Sequence, residues 1–139
     1  MKYLLDTNVI SEIISKKPNT SVLEWLDSLD QTMVYLSIIT IGEIQKGIEK
    51  LPPSKRKEDL QTWLDNDLLL RFDGKITQIN VAVIRTWGVL TGQLEKTGRP
   101  LAAIDSLVAA IALEGSYALV TRNEDDFTGT GVTIVNPWK

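Results

Sequence analysis

Short runs of consecutive apolar residues alternate along this chain with stretches whose apolar residues recur every three or four positions. The short runs predict strands buried on both faces, and the periodic stretches predict amphipathic helices. The predicted strands lie near 4–5, 34–38, 68–72, 117–121 and 133–135, and the predicted helices span 8–15, 21–29, 40–50, 55–66, 77–95 and 101–114. This alternation is typical of an α/β fold in which helices cover both faces of a parallel sheet.

Amino-acid composition narrows the chemistry that such a fold can perform. The chain has 139 residues, enough for one domain with its own core, and it contains no cysteine and no histidine. These two absences exclude thiol nucleophiles, Ser-His-Asp triads and zinc sites built on either residue type. An enzyme of this composition has to use carboxylates, hydroxyls, amides, amines or a metal held by oxygen ligands.

Charge and hydropathy bear on partners and location. Lysine and arginine number 15 against 18 acidic residues, so a net charge of −3 does not by itself indicate a nucleic-acid-binding protein. The most apolar segment, 101–113, is too short to cross a bilayer, and the N-terminal residues do not resemble a signal peptide. We therefore expect a cytoplasmic protein with no membrane segment.

Asp105 is the most unusual acidic residue in the chain. It lies within the predicted helix over 101–114, which is apolar on nearly every side and is therefore expected to be buried. An ionised carboxylate in such a place is costly unless it is paired or bound to a metal. The alternative is an acid near the start of a helix that interacts with the free amides there.

Asp6, Glu43 and Asp126 are weaker candidates, because each has a local structural explanation. Asp6 follows the first predicted strand, but it can also cap the next helix. Glu43 lies between isoleucines near the expected core, yet it has capping-box spacing from Thr40. Asp126 follows the strand near 117–121, in a segment where Asn123 can cap a helix. Carboxylates that converge in an apolar setting repel one another and need a cation, and hard oxygen ligands select Mg²⁺ or Mn²⁺.

The segments around these acids match a known family in order and spacing. They are YLLDTNVISE at 3–12, SIITIGEI at 37–44 followed by KGI, GRP at 98–100, IDSLVAAIA at 104–112, LVTRN at 119–123 followed by DF, and NPW at 136–138. Together they resemble the PIN-domain nucleases and, within them, the VapC-type toxins of toxin–antitoxin pairs, with the FitB-like branch most similar. The resemblance covers residues 1–139 as a single PIN domain.

This resemblance implies a fold and a metal site. The fold is a PIN-like three-layer α/β/α sandwich with a short parallel sheet. Asp6, Glu43 and Asp105 match the acidic positions that would hold Mg²⁺ or Mn²⁺. The fourth, more variable acidic position falls to Asp126 or Asn123, of which Asp126 is favoured as a catalytic residue.

The resemblance also implies supporting residues and a reaction. Thr7 and Ser37 would orient ligands or water, and Asn123 would form hydrogen bonds behind the acids. The implied reaction is metal-dependent hydrolysis of an RNA phosphodiester, which leaves 5′-phosphate and 3′-hydroxyl ends.

Substrate binding requires local basic residues, because the net charge of the protein is negative. The candidates are Lys46, Lys50, Arg85, Arg99 and Arg122, each of which is otherwise a solvated surface charge. The implied protein partners are a second copy of the chain and a small antitoxin, with operator DNA contacted only through the antitoxin.

Two other functions compete with this interpretation. One is a catalytically silent PIN-like domain that only binds a partner or RNA. The other is a phosphoryl-transfer protein of a different α/β type, but Asp6-Thr7-Asn8 lacks the second acid that a haloacid-dehalogenase-like phosphatase or a receiver domain needs there. Nucleotide-binding glycine motifs are absent from the chain.

Overall fold

The computed structural model describes residues 1–139, in which strands and helices alternate as predicted. The strands are β1 (Tyr3–Leu5), β2 (Val34–Ser37), β3 (Ile76–Thr77), β4 (Ala118–Val120) and β5 (Thr133–Val135). The helices are α1 (Thr7–Ile13), α2 (Thr20–Asp27), α3 (Ile38–Glu49), α4 (Lys55–Trp63), α5 (Leu69–Arg71), α6 (Val81–Lys96) and α7 (Ala103–Gly115). A π-helical turn, Leu64–Leu68, joins α4 to α5, and 3₁₀ turns lie at Gln31–Met33 and Glu124–Phe127.

The five strands form one parallel sheet in the order β3-β2-β1-β4-β5. In this register Leu5 lies opposite Leu36 on one side and Val120 on the other. The chain thus builds outward from β1 to β3 and then returns to place β4 on the other side of β1. The switch point between β1 and β4 is where an open parallel sheet has its ligand-binding crevice, beyond the carboxyl ends of the strands.

Helices cover both faces of the sheet because neighbouring residues of a strand point in opposite directions. Leu5 and Val120 pack with residues of α1, α2, α3 and the π-helical turn in one buried cluster. Leu4 and Leu119, one position earlier in each strand, pack with α6 and α7 in a second cluster. This arrangement confirms the predicted three-layer α/β/α sandwich. No helix has the length and apolar content needed to span a lipid bilayer.

The predicted strand over 68–72 is wrong, because these residues continue the helical segment that begins with α4. Leu64, Leu68 and Phe72 are buried at intervals of four, whereas Leu70 is 69% exposed. A short leucine-rich run fits either a strand or a helix, and only its spacing relative to neighbouring apolar residues separates the two. The third strand is Ile76–Thr77, just ahead of α6.

Several helix starts also differ from the predicted ones. The helix α6 begins at Val81 rather than at 77, because residues 76–77 form β3. The helix α2 begins at Thr20 rather than at 21, and Asn19 caps it by accepting from the backbone N–H of Ser21 at 2.9 Å. Ser37, rather than Thr40, caps α3, so Thr40 does not form a capping box with Glu43. A residue at the carboxyl end of β2 thus already caps the helix that follows, and α3 begins earlier than its periodicity suggests.

Candidate active site

A cleft of about 520 Å³ opens beyond the carboxyl ends of β1 and β4. Asp6, Glu43 and Asp105 line it together with Asn123. The three acids come from separate elements, since Asp6 follows β1, Glu43 lies in the second turn of α3 and Asp105 lies in the first turn of α7. The residues predicted to hold a metal therefore face one shared space.

Asp6 is held by three hydrogen bonds and is only 9% exposed. Its Oδ1 accepts from the backbone N–H of Thr7 at 2.9 Å. Asp6 therefore caps α1, which is the structural role that the sequence offered as an alternative to a metal site. Its Oδ2 accepts from the hydroxyl of Thr121 at 2.9 Å and from Nδ2 of Asn8 at 3.3 Å. Capping and a place in the cleft are therefore compatible, because both carboxylate oxygens are held in fixed directions.

Glu43 is exposed rather than near the core as expected, but its side chain is not free. The hydroxyl of Thr7 donates to its Oε1 at 2.5 Å. The Thr7 hydroxyl also lies 3.0 Å from that of Thr40, which is fully buried. Thr7 thus connects α1 to α3 and fixes the position of Glu43 in the cleft wall.

Asp105 is half-buried, whereas the sequence predicted burial. The helix α7 begins at Ala103, and its continuous buried stretch starts only at Val108. One side of the first turn of α7 therefore lies outside the apolar layer and places Asp105 at the cleft, while Ser106 in the same turn is buried. The apolar sequence around Asp105 correctly predicts burial for most of α7, but not for this residue.

The remaining predicted residues take different positions. Ser37 is buried outside the cleft lining, where its hydroxyl accepts from the backbone N–H of Ile39 at 2.9 Å. Asn123 lines the cleft, and its backbone N–H donates to the hydroxyl of Thr121 at 3.1 Å. Asp126 is exposed in the 3₁₀ turn and does not form part of the cleft wall. Ser37 thus positions the helix that carries Glu43, while Asn123 lines the cleft and Asp126 does not.

The environment of the cleft disfavours the ionisation of Asp6 and of Asp105. Burial is the main cause of the raised pKa of Asp6, and the charges of Glu43 and Asp126 add to it, against the hydrogen bond from Thr121. Burial likewise raises the pKa of Asp105, and the charges of the other three acids contribute further. Both salt bridges of the structure lie elsewhere. The cluster therefore carries negative charge without a paired cation.

This donor set suits a hard divalent cation. No three carboxylates form a ready-made metal cage. Mg²⁺, however, usually binds through only one or two carboxylates and keeps several water molecules, which an open cleft can accommodate. Oxygen donors and unpaired negative charge both favour Mg²⁺ or Mn²⁺ over softer metals. The residues present therefore fit such an ion.

Of the basic residues predicted to bind RNA, only Arg122 lines the cleft. Lys46 and Lys50 border an adjoining groove of about 560 Å³, which shares Glu43 and Ile104 with the cleft. Positive charge is thus present beside the acids, on α3 and directly after β4.

Arg85 and Arg99 lie away from these two surfaces. Arg85 lines a separate depression that also contains Glu114, near the carboxyl end of α7. The guanidinium of Arg99 lies close to Gly129, in the loop ahead of β5. The structure therefore does not bring these two arginines to the acidic cleft.

Asn8 and Thr121 were not predicted as site residues, although they connect its parts. Nδ2 of Asn8 donates to the hydroxyl of Thr121 at 3.0 Å, and its Oδ1 accepts from the backbone N–H of Arg122 at 3.2 Å. Thr121 is fully buried. Both are polar residues that closely follow a buried apolar run, which is the signal that could have identified them.

A comparison with known proteins identifies the family. The PIN domain family profile matches residues 3–131, a range that includes all four predicted acids and both strands at the cleft. This chain belongs to the PIN domain family.

Relatives of this PIN domain match along nearly their whole length. Toxin FitB of Neisseria gonorrhoeae is 37% identical over 135 residues, which cover 97% of each chain. VapC ribonuclease Y4jK of Sinorhizobium fredii is 32% identical over 136 residues, 98% of this chain and 97% of the relative. The solved structure of FitAB bound to the IR36 DNA fragment superimposes with a TM-score of 0.93 at 36% identity, covering 99% of this chain and 96% of the other.

The family gives the unpaired carboxylates a chemical context. PIN nucleases generally depend on divalent metal ions. The PIN domain described here has the hard oxygen donors, the missing counter-charge and the open cleft that such chemistry requires.

Proposed function

We propose that this PIN domain, spanning residues 1–139, is the toxin of a toxin–antitoxin pair and an endoribonuclease that uses Mg²⁺ or Mn²⁺. One observation carries the proposal: Asp6, Glu43 and Asp105 converge on one cleft with no basic residue paired to them. The names of the relatives, toxin FitB and VapC ribonuclease Y4jK, support it. RNA is the substrate class, and the cytoplasm is where the protein acts.

The residues of the cleft have different roles in the proposed reaction. Asp6, Glu43 and Asp105 would hold the ion, which when bound lowers the pKa of a water molecule and neutralises charge developing on the phosphoryl group. Thr121 keeps Oδ2 of Asp6 oriented, and Thr7 keeps Glu43 in place. These contacts preorganise the cleft for catalysis.

Asp126 acts as the fourth acid through its charge. It raises the pKa values of both Asp6 and Asp105 without forming part of the cleft wall. Asn123 occupies that wall instead and offers an amide to the substrate or to water. Because the chain has no histidine and no cysteine, proton transfer falls to carboxylates and water.

Hydrolysis breaks the bond between phosphorus and the 3′ oxygen, so the products carry 5′-phosphate and 3′-hydroxyl ends. This outcome does not involve the 2′-hydroxyl as a nucleophile. It therefore distinguishes the proposed reaction from that of a ribonuclease that forms a cyclic phosphate.

The proposed protein partners are a second copy of the chain and an antitoxin. The structure of FitAB bound to a DNA fragment supports a two-protein assembly of this kind on DNA. In our proposal the antitoxin makes the DNA contacts. A catalytically silent domain is not favoured. An unpaired Asp105 lowers the stability of the fold, and a domain without catalytic activity would be more stable with an apolar residue at this position.

The test is RNA cleavage by the purified chain without its antitoxin. Total RNA is incubated with Mg²⁺ or Mn²⁺, in parallel with an EDTA control and the variants Asp6→Asn and Asp105→Asn. Glu49→Gln on α3 is the matched control, because this exposed acid does not line the cleft. Ligation of an adaptor that requires a 5′-phosphate reports the chemistry of the ends.

We expect cleavage by the unmodified chain and by Glu49→Gln, loss of cleavage in EDTA, and loss in both aspartate variants. Cleavage that persists in EDTA, or in Asp105→Asn, would overturn the metal-dependent mechanism. Intact RNA in every lane, together with no metal binding by calorimetry, would favour the catalytically silent domain.

A further inference from the structure

Trp138 forms part of the cleft wall, and its ring is held by specific contacts. Its indole Nε1 donates to Oε1 of Glu12 at 3.0 Å. Its backbone N–H donates to Oδ1 of Asn136 at 3.0 Å. The ring is half-buried and packs against the apolar cluster beneath α1 and α2. The apolar packing, the hydrogen bond to Glu12 and the backbone hydrogen bond to Asn136 together fix the orientation of the ring.

Arg122 lies over this ring, with Cζ 5.6 Å from the ring centroid. That distance is typical of a cation–π contact. The arginine backbone is also held, because its N–H donates to Oδ1 of Asn8 at 3.2 Å and its carbonyl accepts from Nδ2 of Asn136 at 3.5 Å. The guanidinium remains exposed.

Arg122 is the only lysine or arginine that lines the acidic cleft, yet it forms no salt bridge there. Glu12 also lines the cleft and interacts with the charge of Arg122. The pKa of Glu12 is lowered first by the hydrogen bond from Trp138 and only to the smallest extent by the charge of Arg122. The arginine is therefore kept beside the carboxylates without neutralising them.

A planar guanidinium held against an aromatic face keeps its N–H groups directed outward, which suits two-point binding of a phosphate. An arginine without that support can fold onto neighbouring carboxylates and lose its availability to an anion.

We infer that Trp138 is a positioning residue that holds Arg122 ready for an RNA phosphate adjoining the cleaved one, with Glu12 setting the orientation of the indole. This inference rests on the proposed ribonuclease function and adds a subsite to it. A phosphate at this subsite would fix the register of the strand across the acids. Substrates that end before this phosphate would bind more weakly.

The test is a double-mutant cycle on RNA cleavage. Trp138→Leu, Arg122→Gln and the double variant are compared by KM and kcat at several salt concentrations. We expect Arg122→Gln to raise KM about 10-fold and Trp138→Leu about 3- to 10-fold, with kcat changed less. Trp138→Leu should have no further effect in the Arg122→Gln background, because it acts through the arginine.

The salt dependence provides a readout that a merely structural role would not move. Loss of one phosphate contact reduces the slope of log KM against log salt by about 0.7. Trp138→Phe should restore the slope, because the aromatic face returns. Glu12→Gln, which keeps an acceptor oxygen, should be closer to the unmodified chain than Glu12→Leu. Trp63→Leu, a half-buried tryptophan outside the cleft, is the matched control and should leave the slope unchanged.

Additive effects of Trp138→Leu and Arg122→Gln, or an unchanged slope in both, would overturn the inference while RNA cleavage by the unmodified chain upholds the proposed function. If the unmodified chain cleaves no RNA, the proposed function fails first and the inference fails with it.

Discussion

The hydroxyl of Thr121 donates a hydrogen bond of 2.9 Å to Oδ2 of Asp6, although the two residues are 115 positions apart in the chain. The contact exists because β1 and β4 are neighbours, with Leu5 opposite Val120, so the residues that follow each strand meet. The same buried hydroxyl accepts from Nδ2 of Asn8 at 3.0 Å. One hydroxyl therefore joins the two strands at the acidic cleft.

Replacing Thr121 by valine should reduce both stability and activity. Valine keeps the shape but removes the donor to Asp6 and the acceptor for Asn8, which leaves buried polar groups without partners. We expect a loss of about 1–3 kcal/mol in the free energy of unfolding, measured by urea denaturation, and a fall of about 10- to 100-fold in RNA cleavage. Thr121→Ser retains the hydroxyl and should be close to the unmodified chain. Equal behaviour of the valine and serine variants would contradict this role.

Replacing Thr7 by valine should reduce both activity and stability. The Thr7 hydroxyl fixes Glu43 at the surface, and it is also the partner of the fully buried Thr40 hydroxyl, which valine leaves without that hydrogen bond. We expect RNA cleavage to fall about 10-fold and the free energy of unfolding to fall by about 1–3 kcal/mol, measured by urea denaturation. Thr7→Ser should restore cleavage. The prediction is wrong if the valine variant cleaves RNA at the normal rate.

Asp105→Asn should stabilise the metal-free protein near neutral pH. Folding raises the pKa of Asp105, so the unfolded chain releases this proton at lower pH than the folded chain does. Stability is then lost as pH rises from the ordinary aspartate value of about 3.9 through the higher folded value, and the full penalty is present above it. The asparagine variant avoids this penalty, so its melting temperature without metal should be higher at pH 7.5.

The excess in melting temperature should shrink as the pH falls and vanish below the ordinary aspartate value, where the carboxyl of Asp105 is protonated in both the folded and the unfolded chain. Thermal denaturation in EDTA across this pH range measures it. Glu49→Gln provides the control, and its melting curve should follow that of the unmodified chain at each pH. A melting temperature of Asp105→Asn below that of the unmodified chain at pH 7.5 would count against electrostatic strain at the cleft.

Adding Mg²⁺ or Mn²⁺ should reverse that order. An ion that binds only the folded chain stabilises it by about 2.7 kcal/mol at a concentration 100 times its dissociation constant. We expect the melting temperature of the unmodified chain to rise with metal concentration and to return in EDTA. Asp6→Asn and Asp105→Asn should gain less. An equal gain for all three proteins would place the bound ion elsewhere.

A strand or helix was predicted correctly where neighbouring residues alone carry its signal, and wrongly where they do not. The strands before Asp6 and Thr121 are short apolar runs, and their burial is visible in the sequence itself. The run over 68–72 has the same appearance, yet it is helical, because burial of Leu64, Leu68 and Phe72 on one face outweighs its resemblance to a strand. Where local patterns are ambiguous, packing against the rest of the core decides.

In the candidate site, too, some features follow from local sequence and others from packing. Asp6, Glu43 and Asp105 could be named from the sequence because each is an acid in an apolar neighbourhood that also matches the family's motifs. Glu43 and Asp105 reach the cleft because of where α3 and α7 begin. The same helix starts leave Glu43 exposed and Asp105 half-buried. The positions of Arg122 inside the cleft and of Arg85 and Arg99 outside it likewise depend on the packing of separate elements.

Residue type and local periodicity predict the alternation of strands and helices and exclude histidine and cysteine chemistry, and the family's motifs add the candidate acids. Packing of the whole chain, by contrast, places β4 beside β1, brings Thr121 and Asn8 to Asp6, and positions Trp138 against Arg122 at the cleft. Except for that of Asn8 with Asp6, these contacts join residues more than a dozen positions apart. They form only when the two helix layers bury both faces of the sheet and thereby select its strand order.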